Sequence, residues 1–398
     1  MTMDRSSGIL RRRDGHEAHV SYAELFFDLV YAFAVTQLSH TLLHHLTIGG
    51  AVETVILWFA VWLVWQYTCW FTNWFEPEAM PVRAALFAVM LLGLVAAAAL
   101  PEAFGERGLV FAGCYAAMQV GRTAFGLFFL ERSGDPLAAN FRRILGWSVI
   151  AALFWIAGGL AEGVTRVLLW IVAVACEYVS PMFGLWLPGL GRSRTSDWTV
   201  EGGHMVERCA LFVIIALGES ILVTGGTIAA ARQWDLPVLA AFLAAFLGSI
   251  AMWWMYFDTG SRAATAFIVH SRDPGRFGAY IHYVHVVLIA GIIVTAVGND
   301  LSIAHPQAVV DRAGAAVLFG GPAIYIAGNA LYKRIFYGRI PLSHLAGLVL
   351  LALGIPLASY MDLLMTGLLT TFIMALVAGW EALSRRGFPA SAGSRETA

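Results

Sequence analysis

Glu24 and Asp28 open the first long apolar segment, in the run Tyr22-Ala23-Glu24-Leu25-Phe26-Phe27-Asp28. In a helix that spacing puts both carboxylates on one face, with Tyr31 a turn further along. Carboxylates this close repel unless a cation or a shared proton comes between them. The pair therefore reads either as a proton or cation site, or as an N-terminal charge pair favoured by the helix dipole and matched to a loop arginine. A second stretch runs His204-Met205-Val206-Glu207-Arg208-Cys209 and then Leu217-Gly218-Glu219-Ser220. On a helix, His204, Glu207, Arg208 and Glu219 fall within an arc of about 120°. Glu219 lies roughly 22 Å along that helix from its polar start, at 1.5 Å per residue. No cation of its own helix reaches it at i±3 or i±4. It must be protonated, pair with another helix or face water, which makes it the leading transport or proton-binding candidate.

Arg122 and Glu177 fall mid-span in two further apolar segments, so an ion pair of Arg122 with Glu177 or with Glu219 would neutralise both members. His282 and His285 are three residues apart at a depth matching His204 and Glu207. Together these form either a metal site, a proton relay or a hydrogen-bonded interfacial cluster. Gln37, His40 and His44 share the face opposite Glu24. They read as anchors or solvated ends more readily than as metal ligands, because the Glu of a HExxH motif is missing. Cys69, Cys114, Cys176 and Cys209 have no CxxC spacing and read as small core residues. Trp58, Trp62, Trp65, Trp70 and Trp74, with Trp253, Trp254 and Tyr256, read as core packing and interfacial belt. Gly225-Gly226 and Gly320-Gly321 fit close helix packing. There is no phosphate loop, nucleophile elbow or dinucleotide fingerprint.

The elements that must position these groups are membrane helices. Of the 398 residues, 59% are hydrophobic and only 13% are charged, too few to solvate a domain of this size in water. Runs long enough to cross a bilayer occur at about 22–46, 50–72, 82–101, 108–130, 143–161, 164–187, 205–229, 236–257, 277–298, 313–332, 341–359 and 363–383. The split near Tyr360 and Asp362 is the least sharply marked. The fold expected is all-α, a polytopic bundle of about twelve transmembrane helices. Nineteen basic residues, among them Arg11, Arg83, Arg143, Lys333 and Arg339, fall on one side of this bundle. Arg107, Arg166, Arg232 and Arg312 fall on the other. That bias places both termini in the cytoplasm. The organisation expected is a tail at 1–20, a six-helix half at 21–190, a linker at 191–203, a second half at 204–384 and a tail at 385–398. A shift of 183 residues sets Glu24 on Glu207 and Trp70 on Trp253, so the halves read either as parallel repeats or as chance matches among apolar residues.

The runs Glu24-Leu25-Phe26-Phe27-Asp28-Leu29-Val30, Phe71-Thr72-Asn73-Trp74, Glu207-Arg208 and Leu217-Gly218-Glu219 resemble the low temperature requirement protein A family, from about Tyr22 to near Arg385. Where the family pattern often has an aromatic after Glu-Arg, this chain has Cys209. The resemblance implies a multi-span protein of the bacterial cytoplasmic membrane, linked to growth in the cold and without a settled activity.

Two classes of function fit these residues. One is a transporter- or channel-like protein moving a small solute or ion. In it Glu219 would lie within the membrane and Glu24, Asp28, Glu207 and Arg208 at the cytoplasmic mouth. The other does not transport: either a membrane-embedded metal-dependent enzyme or redox protein built on His204, His282 and His285 with Glu207, or a cold-adaptation sensor or assembly factor. The partners expected are the lipid bilayer and a small solute or ion; a homo-oligomer stays open, and nucleic acid is not expected.

Overall fold

The computed structural model describes residues 8–11, 19–258 and 273–386. The described residues form twelve α-helices: α1 (Tyr22–His44), α2 (Ile48–Trp74), α3 (Met80–Ala99), α4 (Gly108–Ser133), α5 (Ala138–Leu160), α6 (Gly163–Val179), α7 (Gly202–Ala230), α8 (Leu236–Phe257), α9 (Pro274–Ala304), α10 (Arg312–Tyr337), α11 (Leu342–Gly354) and α12 (Leu363–Arg386). Short 3₁₀ turns and isolated β-bridges accompany them, and no strand is formed among the described residues. Eleven helices are long and apolar enough to cross a membrane; the exception is α4, which carries Gln119 and Arg122. The protein is a helical membrane bundle. Most of the two expected tails, with Arg5, Arg12, Arg13 and Arg395, lies outside the described residues, as does the segment 259–272 with Arg262 and Arg272.

Helix starts follow local chemistry. Ser21, Thr47, Asp235 and Asp311 each cap a helix by accepting a backbone N–H. Gly134 and Gly338, with φ near +70°, close α4 and α10. Two spans end sooner than expected because proline intervenes. The span expected at 164–187 stops as α-helix at Val179 and tightens into a 3₁₀ turn, Ser180–Phe183, holding Pro181. That expected at 341–359 stops at Gly354, and Pro356 sits in the 3₁₀ turn Ile355–Tyr360. The break before α12 falls at Asp362, whose carboxylate accepts the Met365 N–H at 2.7 Å.

The chain divides into two compact units. Unit 1 comprises Met1–Ile215 and Ile268–His282; unit 2 comprises Ala216–Phe267 and Tyr283–Ala398. The division falls inside α7 and α9, not at 191–203. In unit 1, α4 packs along α5 and α3, and α1 along α2 and α3. Trp62 and Trp65 are fully buried, with ring centroids 5.4 and 4.6 Å from Phe212. The segment at Ile9–Arg11 runs beside the end of α2: Arg11 N donates to Trp74 O and Glu76 N to Ile9 O. Ile9 thereby joins a core of Phe71, Trp74, Phe75, Val82 and Phe141.

In unit 2, α12 packs on α8 and α11. The backbones of α9 and α10 touch through glycine. A Cβ on Gly291 would stand 2.4 Å from Tyr325 N, and one on Gly321 would stand 2.5 Å from Thr295 N. Gly320, Gly225 and Gly226 face open space, so of the two Gly-Gly steps only Gly321 makes a close approach.

Candidate functional site

The first site is a charge network in unit 1, held by α1, α2 and α7. Glu24 does two jobs. As the third residue of α1 it closes a capping box, accepting from Ser21 N at 2.9 Å and Ser21 Oγ at 3.0 Å through Oε2. Its other oxygen, Oε1, accepts from Arg208 at 2.9 Å and lies 2.9 Å from His204 Nε2. A turn further on, Asp28 Oδ1 accepts from the other Arg208 amine at 2.6 Å and from Trp65 Nε1 at 2.8 Å. Arg208 thus spans the i,i+4 carboxylates like a staple, between the rings of Phe27 and Trp65. Glu24, Asp28 and Arg208 have no solvent-exposed surface. Arg11, carried in by the Ile9–Arg11 segment, reaches Glu24 at 3.5 Å. Two arginines therefore face two carboxylates, but only one of them touches Asp28.

His204 has its tautomer fixed by its neighbours. Asn73 Oδ1 accepts the Glu201 N–H at 2.9 Å, so its amide nitrogen is the donor, to Glu201 O at 2.9 Å and to His204 Nδ1 at 3.2 Å. A ring nitrogen that accepts carries no proton, so the proton sits on Nε2 and points at Glu24. Next to it, Trp74 Nε1 donates to Thr199 O at 2.7 Å. The run Phe71-Thr72-Asn73-Trp74 therefore has a mechanical role. It ties the end of α2 to the backbone leading into α7, which sets Arg208 against α1.

A second network of unit 1 runs from α2 to α6. Arg122 donates to Thr68 Oγ1 at 2.9 Å, to Val64 O at 3.3 Å and to Gln119 Oε1 at 2.5 Å. Gln119 Nε2 donates to Glu177 at 3.2 Å, and Glu177 also accepts from Tyr115 at 2.7 Å and Trp155 at 3.1 Å. Arg122 and Glu177 are thus joined through an amide, where a direct ion pair was weighed. Glu177 sits in the last turn of α6 and not at mid-span, because that helix ends at Val179.

These two networks sit in a chain whose sequence matches the model of the bacterial low temperature requirement A protein (LtrA) over residues 19–379. The chain belongs to the LtrA family. It is also similar to an uncharacterized protein of Rhizobium meliloti (strain 1021), at 40% identity over 386 residues, covering 96% of this chain and 94% of the relative. No solved structure matches it. Of the runs that resemble LtrA proteins, Glu24–Val30, Phe71–Trp74 and Arg208 all converge on the first network.

Glu207 does not join it. It lies at the edge of the arc shared with His204 and Arg208, and is exposed. Glu219 is buried, 6% exposed, in the part of α7 that belongs to unit 2. The histidines do not assemble with Glu207. His282 Nδ1 donates to Gly278 O at 2.7 Å, and its ring lies 5.8 Å from Trp65 and 5.9 Å from Trp70. His285 lies in unit 2, with Nε2 2.8 Å from the Tyr256 hydroxyl and its ring against Tyr332. Among the described residues no three His, Cys, Asp or Glu side chains converge as metal ligands. His40, His44, Trp253 and Trp254 are exposed, and the tryptophans at 58, 62, 65 and 74 are buried.

Unit 2 holds a cluster that the sequence did not single out. Lys333 of α10 is buried and ion-pairs with Glu381 of α12. His344 of α11 places Nδ1 3.4 Å from the other Glu381 oxygen and Nε2 2.8 Å from Asn329 Oδ1. Lys333 reads as a loop charge if the span ends at 332; the helix runs on to Tyr337, which draws it inside.

Proposed function

We propose that this LtrA protein is a transport protein of the bacterial cytoplasmic membrane that moves a small solute or ion, and that protons drive it through the Glu24–Asp28–Arg208 network. One observation carries the reading. Asp28 Oδ2 and the Tyr31 hydroxyl are buried, on one face of α1, and have no hydrogen-bond partner among the described residues. An unpaired buried carboxylate oxygen is costly unless a proton or a water meets it. Tyr31 and Tyr115 both line a small, otherwise apolar cavity of about 20 Å³. Tyr115 donates to Glu177. On this reading Asp28, Tyr31, Tyr115 and Glu177 carry the proton, and it enters at the arginine-rich end of α1, taken as the cytoplasmic one. Glu219, a buried carboxylate of unit 2, is a further candidate proton carrier.

The test is proton movement in proteoliposomes with a trapped pH-sensitive dye, driven by a potassium diffusion potential. Wild-type protein acidifies the lumen faster than empty liposomes, and Asp28→Asn, Tyr31→Phe and Glu219→Gln each slow it. Wild-type flux equal to that of empty liposomes between about pH 5 and 8 refutes the reading.

The completeness of the pairing around Glu24 favours a second reading, in which the network is a fixed latch between α1 and α7. Asp28→Asn protein that loses stability but keeps full flux would select it.

A further inference from the structure

A cleft in unit 2 lies where α10 ends, α11 begins and α12 ends, with a volume of about 620 Å³. That is the size of a small-molecule site. Its lining is chemically uneven. Lys333 and Glu381, both buried and paired with each other, line it along with Ser343. Arg339 is exposed beside them. Tyr337, Trp380 and Leu342 line it too, 46%, 50% and 72% exposed. Aromatic residues at the ends of spans mark the headgroup level of a bilayer. Leu345 and Leu383, also exposed, continue an apolar surface along α11 and α12.

An ion pair lining an open cleft constrains the ligand. A purely anionic molecule would satisfy Lys333 and Arg339 but bring its charge against Glu381. A purely cationic one would meet the reverse fault. A molecule bearing both a phosphate and an ammonium exchanges one ion pair for two, and leaves no buried charge unmatched. The aromatic rim and the apolar surface beyond it fit acyl chains.

We propose that this cleft is the headgroup site of a zwitterionic aminophospholipid, of the phosphatidylethanolamine type. The phosphate meets Lys333 and Arg339, and the primary ammonium donates to Glu381. The other Glu381 oxygen lies 3.4 Å from His344 Nδ1. Three N–H donors distinguish this headgroup from a trimethylammonium, which has none.

The experiment is native mass spectrometry of the full chain, delipidated in detergent and titrated separately with phosphatidylethanolamine, phosphatidylcholine, phosphatidylglycerol and glycerophosphoethanolamine. The expected result is one phosphatidylethanolamine retained at least tenfold more tightly than the other three. Arg339→Ala, a change at an exposed position that leaves the fold alone, weakens it about tenfold, the loss of one charge-assisted hydrogen bond. Glu381→Gln reduces the preference over phosphatidylcholine, and its melting temperature shows whether it is folded. Equal retention of the three lipids by wild-type protein overturns the proposal. So does Arg339→Ala binding phosphatidylethanolamine as wild type does. Glycerophosphoethanolamine binding as tightly as the lipid overturns the lipid source and assigns the cleft to a soluble phosphoamine.

Discussion

Replacing Arg208 with Met should unfasten the first network while keeping most of the side-chain volume. Arg208 gives one charge-assisted hydrogen bond to each carboxylate, at 2.9 Å to Glu24 and 2.6 Å to Asp28. Without it, Glu24 keeps Ser21, His204 and the more distant Arg11, whereas Asp28 keeps Trp65 alone. At an effective dielectric of about 20, unit charges about 4 Å apart attract by about 4 kcal/mol. Removing one member of a buried pair generally costs about 3–5 kcal/mol, because the other charge stays buried and unmatched. Most of that loss should fall on Asp28. Adding Asp28→Asn to Arg208→Met therefore restores about 1–3 kcal/mol, a coupling typical of residues in one network. Unfolding in mixed micelles of increasing SDS fraction, followed by tryptophan fluorescence, reads all four corners of the cycle. If Arg208→Met unfolds within 0.5 kcal/mol of wild type, or if the two changes simply add, the carboxylates are not held by this arginine and the geometry drawn here is wrong.

Four further substitutions test packing and pairing. Gly321→Ala should destabilise the protein by about 1–3 kcal/mol, because its Cβ would meet α9 backbone. Gly320→Ala, one residue away in open space, should change the same unfolding midpoint by less than about 0.5 kcal/mol. Glu177→Leu strands the Tyr115, Trp155 and Gln119 donors; a loss of about 1–3 kcal/mol with altered Trp155 emission is expected, and an unchanged spectrum would contradict it. Glu207→Gln, at an exposed position, should leave stability within about 0.5 kcal/mol and leave proteoliposome flux at the wild-type rate.

The bundle was legible because a bilayer admits so few alternatives: an apolar run of span length has to be a helix. The same logic made Glu24, Asp28, Arg208 and Glu219 stand out as polar groups in apolar runs. Their partners were not legible. Glu24 and Arg208 are 184 residues apart, and no periodicity records a meeting at that distance. Some signals were present but faint. Ser21-Tyr22-Ala23-Glu24 is a capping-box spacing, and it explains why one carboxylate can serve two purposes. Helical phase alone grouped Glu207 with His204 and Arg208, yet an arc of about 120° has edges, and Glu207 lies on one. Lys333 escaped because hydropathy ends a span where charge begins, whereas a helix ends where its backbone is capped; His344 and Glu381 fell inside expected spans, but with Lys333 read as a loop charge they had no visible partner. Proline misled in the other direction, by cutting α6 short and moving Glu177 from mid-span to a terminus.

Arg166 is 5% exposed, and its Nε and Nη1 donate to carbonyl oxygens of Gly158, Ala161, Ala103 and Gly105, at 2.6–3.1 Å. Elsewhere in unit 1, the pairs Arg83–Glu78 and Arg142–Glu131 are open to solvent. At about 1 M salt, ions screen such surface pairs over roughly 3 Å. A sheltered cation bound to fixed dipoles has no mobile counter-ion to lose. Brine should therefore loosen the loops around residues 78–83 and 131–142 and leave the turn at 103–105 as firm as in fresh water.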